Sequence, residues 1–320
     1  MDPTAPDWPA LDTERLRLRP LAGTDVPAIT HLLDDWQMAR TTSTIPFPYD
    51  RRDAAAFIAE SRRLSAEGVG LVLGAEDRLS GRLIGCVGAS VSKGSGEVGY
   101  WIGRDWWGQG YATEAVRRCL RLLFADFGLD RVWLSVLPEN TASLRVAEKT
   151  GFARTGNQTV TLPARGRSAD LDILELSRAR WRRLREARPF LLVAAALLID
   201  AQGCVLLARR PEGKSMAGFW EFPGGKLRAG ESPEEALARE LDEELGIAVS
   251  PARLEPVTFA SHDYDRFQLL MPLFACRQWR GRPWSREGQG ALAWVPPDRL
   301  ADYPMPPADI PLVARICDWL

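Results

Sequence analysis

Residues 225–247, GKLRAGESPEEALARELDEELGI, decide how the second half of the chain folds. The stretch predicts a helix that begins after Ser232, because Ser is a favoured N-cap, Pro233 suits the first helical position and Glu235 can complete a capping box. Gly246 is placed to end the helix, since glycine readily adopts the left-handed conformation that follows a last turn. Apolar residues at four-residue spacing predict the buried face: Leu237, Leu241 and Leu245.

The same helix carries a group of carboxylates on one side. Glu240, Glu243 and Glu244 stand at positions i, i+3 and i+4, so their side chains are neighbours on the helix surface. Carboxylates this close repel one another unless a cation joins them. Hard divalent cations such as Mg²⁺ take oxygen ligands and commonly also bind substrate phosphates. The alternative is a solvated acidic face, which is what most glutamate-rich helices present.

The stretch 225–247 resembles the signature of the Nudix hydrolases, a family that cleaves nucleoside diphosphates linked to another group. The match includes many positions at the family spacing, which favours a metal site over a solvated face. The matching residues are Gly225, Glu231, Arg239, Glu240, Leu241, Glu243, Glu244, Gly246 and Ile247.

Three further segments resemble the MutT-type Nudix subgroup, which hydrolyses a nucleoside triphosphate to the monophosphate and pyrophosphate and so sanitises nucleotide pools. They are FWEFPGGK at 219–226, PWSREGQ at 283–289 and PPADIPLV at 306–313. One Mg²⁺ would be too few for five acidic or carbonyl ligands and a triphosphate, so two or three divalent ions are expected, Mg²⁺ by preference and Mn²⁺ as the alternative. The implied metal ligands are the carbonyl group of Gly224 and the carboxylates of Glu240, Glu243, Glu244 and Glu287.

The resemblance also implies roles for residues around the metal site. Glu240 and Glu287 are the candidates for the base that deprotonates the attacking water, whose pKa a bound metal lowers. Arg239 is implied to pair with Glu231 or Glu240 and so to hold the loop against the helix. Lys226 is suited to bind a phosphate or to orient the water.

Base recognition depends on three positions. In the resembled subgroup an arginine, a phenylalanine and a tail asparagine hold oxidised guanine; Arg210 and Phe222 match the first two, but Asp309 replaces the asparagine. Asn both donates and accepts hydrogen bonds, whereas ionised Asp only accepts. Because PPADIPLV also resembles relatives that prefer cytidine nucleotides, 8-oxo-dGTP is the favoured substrate and CTP or modified dCTP the second. Alternatively, Asp309 is a simple N-cap of the helix predicted at 311–320.

The first half contains a glycine-rich turn between a predicted strand and a predicted helix. The turn, WWGQGYAT at 106–113, follows a strand at 97–102 and leads into a helix that Gly128 ends. Glycines allow the backbone to approach a ligand closely, and the free amides and dipole of a helix N-terminus favour a pyrophosphate. A tight turn without a ligand is the alternative that this pattern alone leaves open.

The surroundings of this turn resemble the GNAT acetyltransferases, and within them the ribosomal-protein N-acetyltransferases. The matching segments are TERLRLRPL at 13–21, GYWIG at 99–103, WGQGYATEA at 107–115 and NTASLRVAEKTGF at 140–152. The resemblance covers about residues 11–176. It implies that acetyl-CoA is bound by Trp107, Gly108, Gln109, Gly110, Tyr111, Ala112, Thr113 and Asn140.

Two residues are candidates for the chemistry of acetyl transfer, which needs a base for the amine and a proton donor for the departing thiolate. Glu97 is the candidate base, and Ser143 is the candidate partner of the thiolate. The respective alternatives are an exposed strand carboxylate and a helix cap. No motif identifies the acceptor amine.

Length and composition limit the class of protein. A chain of 320 residues suggests two domains, and a net charge of −1 gives no electrostatic reason to expect a nucleic-acid polymer or an anionic membrane as partner. Five scattered cysteines and an N-terminus without a signal peptide predict a cytoplasmic location. The longest apolar run, 190–199, is too short to cross a membrane; it predicts a strand buried on both faces, with 205–208 as its hairpin partner.

These observations predict an α/β (α+β) chain of two domains. Residues 1–10 form a flexible tail, 11–176 a GNAT domain with a mixed sheet flanked by helices, 177–188 a linker helix and 189–320 a Nudix α/β/α sandwich. The predicted protein is bifunctional: a Mg²⁺-dependent nucleoside triphosphate pyrophosphohydrolase joined to an acetyl-CoA-dependent N-acetyltransferase. Two alternatives stay open, namely a Nudix half that senses a nucleotide and regulates the acetyltransferase, and a GNAT half that serves only as a scaffold.

Overall fold

The computed structural model describes residues 10–162, 166–264, 266–286 and 290–320. The chain divides into two compact units, Met1–Ala187 and Arg188–Leu320. Residues 1–9 of the predicted tail and the predicted metal ligand Glu287 lie outside the described residues.

Among the described residues, the first unit is built on a sheet of eight strands. In chain order they are β1 (Leu11–Asp12), β2 (Leu16–Pro20), β3 (Gly70–Asp77), β4 (Leu83–Ser92), β5 (Ser95–Ile102), β6 (Arg131–Val136), β7 (Ala153–Leu162) and β8 (Arg167–Ser177). The order across the sheet is β1-β2-β3-β4-β5-β6-β8-β7, and β5 and β6 are its parallel neighbours. Their pairing ends where Glu97 lies opposite Trp133, so the two strands separate beyond this point.

Helices cover both faces of this sheet. They are α1 (Val26–Leu33), α2 (Trp36–Ala39), α3 (Arg51–Ala66), α4 (Tyr111–Arg121), α5 (Thr141–Thr150) and α6 (Arg178–Glu186). Helices α1 and α3 pack around a cluster that includes Ile29, whereas α4 and α5 pack around a second cluster that includes Leu120. Leu16 and Leu18 of β2 are fully buried in that second cluster, because they alternate with arginines along the strand and so share one face of the sheet.

The helix predicted as a linker is present as α6, and it packs onto the first unit. Trp181 joins the cluster around α4, with its ring centroid 5.1 Å from that of Phe124. Leu184 lies so close to the main chain at Gly151 that a Cβ atom there would be 2.3 Å from Leu184 Cδ1. The helix is therefore part of the first compact unit and not a free connector.

The second unit has two sheets. Its strands are β9 (Phe190–Leu198), β10 (Val205–Arg209), β11 (Trp220–Glu221), β12 (Gly224–Lys226), β13 (Glu255–Asp263), β14 (Gln268–Cys276) and β15 (Leu292–Val295), and its helices are α7 (Pro233–Leu245) and α8 (Ile310–Trp319). Within the described part of this unit, four strands form a sheet in the order β12-β9-β14-β13 and three form a sheet in the order β11-β10-β15.

Helices α7 and α8 lie on opposite faces of the four-stranded sheet. Ala196 and Leu198 of β9 join the three buried leucines of α7 in one cluster. Ala195 and Leu197, which point the other way, join Leu312 of α8 in the other cluster. The predicted α/β class with two domains is confirmed. No helix in the described part of the chain is both long enough and apolar enough to cross a membrane.

The prediction that 190–199 is buried on both faces is wrong for the first half of the run. Phe190 is 59% exposed and Leu192 is 40% exposed, whereas every residue from Ala194 to Ile199 is buried. The reason is that the fully buried members of the clusters under α7 and α8 begin at residue 194 of β9, whereas Leu191 and Val193 are only partly buried against the α8 cluster.

The prediction of a β9–β10 hairpin is also wrong. Apart from an isolated bridge between Ile199 and Val205, β10 pairs with β11 and β15 in the second sheet. The carboxylate of Asp200 accepts hydrogen bonds from the main-chain N–H groups of Gln202 and Cys204. This side-chain turn directs the chain away from the first sheet.

Candidate functional sites

The glycine-rich turn of the first unit lies at the N-terminus of α4. Gly110 precedes the helix with a φ of +87°, and no side chain caps the helix at this residue. Gly108 also has a positive φ, +75°, and a Cβ atom there would meet no atom within 4 Å. The amide groups of the first helical turn, which begins at Tyr111, have no acceptor within a helix. The turn therefore has the geometry of an anion site at a helix N-terminus.

The other residues predicted to bind acetyl-CoA lie in the same turn and in the helix after it. Trp107 Nε1 donates to the carbonyl group of Ile102 at 2.6 Å, and Gln109 Nε2 donates to the carbonyl group of Asp105 at 3.0 Å. These two side chains are tied to carbonyl groups and hold the turn in place. The part of the turn that can face a ligand is therefore its main chain. Two further residues follow in the first turn of α4: Ala112 and Thr113.

Arg15 braces this turn, a role that sequence reasoning missed. Its Nη1 donates to the carbonyl group of Gln109 at 2.9 Å, and its guanidinium lies 4.2 Å from the ring centroid of Tyr111. Its Nε donates to the buried carboxylate of Glu114 at 2.9 Å, which also accepts from the hydroxyl of Thr13 at 2.6 Å. Arg15 and Glu114 are 99 residues apart in the sequence, so no local pattern connects them.

The separated ends of β5 and β6 border a cavity of about 600 Å³. Three of the predicted residues, Glu97, Asn140 and Ser143, line it together. Glu97 is half-buried, and Ser135 Oγ donates to its Oε1 at 3.4 Å. Burial raises the pKa of Glu97 above its usual value, while the hydrogen bond from Ser135 opposes this rise. A carboxylate with a raised pKa is a better proton acceptor for an amine.

The first turn of α5 separates the roles of Asn140 and Ser143. Asn140 is the N-cap, because its Oδ1 accepts from the N–H of Ser143 at 3.0 Å, and its Nδ2 donates to the carbonyl group of Thr41 at 2.9 Å. The hydroxyl of Ser143 is not the cap; it lies 2.7 Å from the hydroxyl of Tyr100. Burial raises the pKa of Tyr100 to about 12. Sequence reasoning missed Tyr100 because a tyrosine in a strand is more often part of the core.

In the second unit, two glycines of β12 permit close packing that no side chain would allow. A Cβ atom on Gly225 would lie 2.1 Å from Glu240 Cδ and 2.3 Å from its Oε2. A Cβ atom on Gly224 would lie 2.1 Å from the carbonyl oxygen of Ala194 in β9. The first contact places the carboxylate of α7 directly on the main chain of β12, and the second joins β12 to the sheet.

Arg239 connects the loop to the helix. Its Nε and Nη2 donate to the two carboxylate oxygens of Glu231 at 2.7 and 2.9 Å, and its Nη1 donates to Glu240 at 2.7 Å. Its Nη2 also donates to the carbonyl group of Lys226 at 3.0 Å. The hydrogen bonds from Arg239 and from the N–H of Arg228 lower the pKa of Glu231 to about 2. Arg239 thus pairs with both of its candidate partners, while the side chain of Lys226 is exposed.

The structure brings Glu240 and Glu244 together, with Glu221 nearby. Burial, followed by the negative charges of Glu221 and Glu240, raises the pKa of Glu244 to about 7. The N–H of Gly224 donates to Glu244 and opposes this rise, as does the charge of Lys214. Glu221 lies in FWEFPGGK, yet sequence reasoning did not assign it a role.

Glu243 faces two arginines. Arg239 Nη1 lies 3.1 Å and Arg228 Nη2 3.2 Å from its carboxylate, and the side chain is 47% exposed. In the part of the chain that the structure describes, no three Asp, Glu, His or Cys side chains are arranged as a metal-binding group. Carboxylates are nevertheless the ligands that a hard divalent cation prefers, so Glu240 and Glu244, with Glu221 nearby, are chemically suited to one although they are not arranged as such a group.

A second cluster lies beside these carboxylates, where the base-recognition residues were predicted. Arg210 pairs with Glu221, and its Nε donates to the carbonyl group of Ser215 at 2.7 Å. The ring of Phe222 is buried in the core, and its main-chain N–H donates to Asp309 Oδ1 at 3.4 Å. The structure therefore brings Arg210, Phe222 and Asp309 together around Glu221.

Asp309 stands at the N-cap position of α8 without acting as a cap. No side-chain cap hydrogen bond is formed there, so the simple-cap alternative does not describe its contacts. The residue is only 4% exposed. Burial, and then the negative charge of Glu221, raises the pKa of Asp309 to about 8.

Comparisons with known proteins divide the chain in the same way. Residues 15–153 match the family described as acetyltransferase (GNAT) domain, and residues 194–315 match the NUDIX domain family. Over 131 residues the chain is 39% identical to an 8-oxo-dGTP diphosphatase of Haemophilus influenzae, covering 39% of this chain and 89% of that protein. The chain is a fusion of a GNAT acetyltransferase domain and a Nudix hydrolase domain. The predicted families and the prediction of an enzyme are thereby confirmed.

Two other relatives of the fusion are informative. Its Nudix domain is 38% identical over 125 residues to a CTP pyrophosphohydrolase of Escherichia coli, covering 38% of this chain and 89% of that protein. Its GNAT domain is 29% identical over 174 residues to an uncharacterized N-acetyltransferase, p20, of Bacillus licheniformis, covering 53% of this chain and 97% of that protein.

Proposed function

We propose that the Nudix domain hydrolyses a nucleoside triphosphate to the monophosphate and pyrophosphate, with 8-oxo-dGTP as the preferred substrate. We further propose that the GNAT domain transfers the acetyl group of acetyl-CoA to an amine. Together the activities make a cytoplasmic enzyme that sanitises the nucleotide pool, and so supports DNA repair, and that also acetylates an amine.

The observation that carries the first proposal is the position of Glu221. After burial, which is the larger cause, its charge raises the pKa of both Glu244 and Asp309. The carboxylates suited to a cation thus lie near a buried polar cluster that includes Asp309 and Arg210. A nucleoside triphosphate has the same two parts, an anionic chain that needs cations and a base that needs directed hydrogen bonds.

The residues that would hold the divalent ions are Glu240, Glu243, Glu244, Glu287 and the carbonyl group of Gly224. When bound, Mg²⁺ neutralises phosphate charge and lowers the pKa of the attacking water. Glu240 lies against Gly225 and is positioned by Arg239, which makes it a base candidate together with Glu287. Lys226, with its exposed side chain, binds a phosphate or orients the water.

The raised pKa of Asp309 supports oxidised guanine as the base. At neutral pH a carboxyl group with a pKa of about 8 keeps its proton, so that it donates as well as accepts, as Asn does. Asp309 in place of Asn is then compatible with recognition of oxidised guanine. The relative from Haemophilus influenzae named 8-oxo-dGTP diphosphatase supports the same choice.

CTP, or a modified dCTP, is the second candidate. Asp309 in PPADIPLV and the relative named CTP pyrophosphohydrolase favour it. An ionised Asp309 would accept from the amino group of cytosine and would have no donor for the oxygen of guanine.

In the GNAT domain the uncapped N-terminus of α4 supports binding of the pyrophosphate of acetyl-CoA at residues 107–113, with Asn140 at the cavity. Glu97 takes the proton of the amine, directly or through water. The hydroxyl of Ser143, in contact with that of Tyr100, supplies a proton for the departing thiolate.

The experiment that tests the nucleotide proposal is pyrophosphate release by the full chain with Mg²⁺. The ratio kcat/KM is compared for 8-oxo-dGTP, dGTP, CTP and 5-methyl-dCTP. We expect 8-oxo-dGTP to be preferred over dGTP. A preference for the cytidine nucleotides would make the second candidate correct, and turnover of none of the four would refute both.

A further inference from the structure

The cavity beside Glu97 has a one-sided charge. Among the described residues that line it, the charged side chains are two carboxylates, Glu97 and Asp53, and no Lys, Arg or His is present. Glu97 comes from β5, and Asp53 comes from the first turn of α3. A cleft lined by one sign of charge concentrates ligands of the opposite sign and opposes ligands of its own sign.

Asp53 is fixed in place by the start of its helix. Its Oδ2 accepts from the N–H of Asp50 at 2.9 Å, and Asp50 in turn accepts from the N–H of Asp53 at 3.1 Å. This reciprocal capping box fixes the side chain at the wall of the cavity. A carboxylate on such a rigid element can hold a cation at a defined distance from the reacting group.

The remaining walls of the cavity are uncharged. The described lining includes apolar side chains such as Phe57 and Trp101 and hydroxyl groups such as those of Tyr49 and Thr44. An alkyl chain suits such walls, whereas a phosphate or carboxylate on the acceptor would meet two negative charges and no cation among the described lining residues. These walls therefore favour an amine without a phosphate over a nucleotide, the substrate that we propose for the other domain.

We propose that the acetyl acceptor of the GNAT domain is a small aliphatic amine that carries a second cationic group. In this assignment Asp53 binds the second ammonium group, and Glu97 accepts the proton of the reacting nitrogen. The inference rests on the acetyl-transfer function proposed above, because it names the substrate class of the same site.

The transfer balances with the groups present. The reacting ammonium gives one proton to Glu97, and the neutral nitrogen attacks the thioester carbonyl carbon. The new C–N bond replaces the C–S bond, the thiolate takes a proton from the Ser143 hydroxyl, and the nitrogen gives up its remaining extra proton to solvent. Water returns a proton to Ser143 and removes the one on Glu97. The products are the N-acetyl amine and the free thiol.

The test is thiol release from acetyl-CoA by the full chain with matched amines. The amines are 1,4-diaminobutane, 1-aminobutane, 4-aminobutyrate and a tripeptide amide with a free N-terminal serine. We expect kcat/KM for the diamine to exceed that for aminobutane by about tenfold or more, as a charge-assisted contact predicts, and aminobutyrate to be the poorest of the three butane derivatives.

A pair of variants identifies the carboxylate responsible. Asp53→Asn keeps an acceptor for the N–H of Asp50 but removes the charge, so the diamine-to-aminobutane ratio should fall towards one. Glu60→Gln is the control, because Glu60 lies on the same helix, is exposed and pairs with Arg63. It should leave the ratio unchanged.

The proposal would be overturned by equal kcat/KM for the diamine and aminobutane, by preference for the peptide amide, or by a ratio that Asp53→Asn does not change. Turnover of none of the amines would also overturn it. Calorimetry then measures whether the full chain still binds acetyl-CoA. Retained binding would overturn only the proposed acceptor class, because the acetyl-CoA site is still in place. Lost binding would overturn the proposed acetyl-transfer function as well.

Discussion

Two segments are proposed to bind phosphate groups, the turn at residues 107–113 and the segment at residues 224–244. Their electrostatics are opposite. The first presents main-chain amides at the start of α4, with Gly108 and Gly110 at positive φ and no capping side chain. The second presents carboxylates, which approach a phosphate only when cations lie between them. One site is thus formed by backbone shape, and the other by side-chain charge that depends on metal.

This difference explains why the second segment is easier to recognise in the sequence than the first. A charge-based site needs particular residues, so Glu231, Arg239 and Glu240 stand at fixed spacing and every one makes an ion pair in the structure. A backbone-based site needs only glycines and a helix start, and many turns without ligands share these features. We therefore expect substitutions in the charge-based site to have the larger effects.

The largest expected effect is that of Gly225→Ala on nucleotide hydrolysis. The new Cβ would lie 2.1 Å from Glu240 Cδ, so the carboxylate must move, and a displacement of this size can lower the rate about hundredfold. Gly203→Ala is the control, because a Cβ atom there would meet no atom within 4 Å; its positive φ, which Gly225 lacks, makes it the more strained of the two substitutions in backbone terms. The comparison of kcat/KM for pyrophosphate release tests this; similar losses in both variants would refute a specific role of the contact.

The next largest effect is that of Arg239→Lys. A lysine keeps the charge but cannot donate to Glu231, Glu240 and the carbonyl group of Lys226 at once, so hydrolysis should fall about 10- to 100-fold. Arg228→Lys is the matched change, since the side chain of Arg228 is 62% exposed and pairs with the exposed Glu243. Equal activities of the two variants would contradict the bracing role of Arg239.

A smaller effect is expected in the backbone-based site. Arg15→Lys keeps a charge beside Glu114 but loses the stacking on Tyr111 and the fixed hydrogen bond to the carbonyl group of Gln109. Because each such contact contributes about 1 kcal/mol, the Kd for acetyl-CoA should rise about tenfold. Arg17→Lys is the control, because Arg17 pairs with Asp12 on the surface. Calorimetric titration of both variants measures the difference, and an unchanged Kd for Arg15→Lys would refute the brace.

The smallest effect concerns the pH dependence of base selection. Asp309 has a pKa raised to about 8, so its carboxyl group is a donor below that pH and loses the proton as pH rises through it. The ratio of kcat/KM for 8-oxo-dGTP to that for CTP should therefore fall about threefold between neutral and alkaline pH, the value of one neutral hydrogen bond. Using a ratio cancels the pH dependence of the shared hydrolytic step. In Asp309→Asn the ratio should be flat, and an equally steep fall there would contradict the assignment.

The structure also shows which features a sequence can predict. Helix α7 runs from Pro233 to Leu245, between the predicted cap Ser232 and the predicted end Gly246, because capping and periodicity are local. The contact between Arg15 and Glu114 joins residues 99 positions apart, and the burial of Asp309 depends on the packing of α8 beside Phe222. Such contacts result from tertiary packing, so sequence patterns indicated the residue types without their partners or their pKa shifts.

The central claim is that one chain carries two separate active sites, and the most direct test measures both activities in two full-length variants. Glu244→Gln should lower pyrophosphate release about a thousandfold, since metal-based charge stabilisation contributes several kcal/mol, while acetyl transfer to the best amine acceptor stays close to the wild-type rate. Glu97→Gln should have the reverse effect. Asp242→Asn, on the same helix as Glu244 but 64% exposed, should leave both activities intact. If either Glu244→Gln or Glu97→Gln lowers both activities together, the two sites are not separate and the account is wrong.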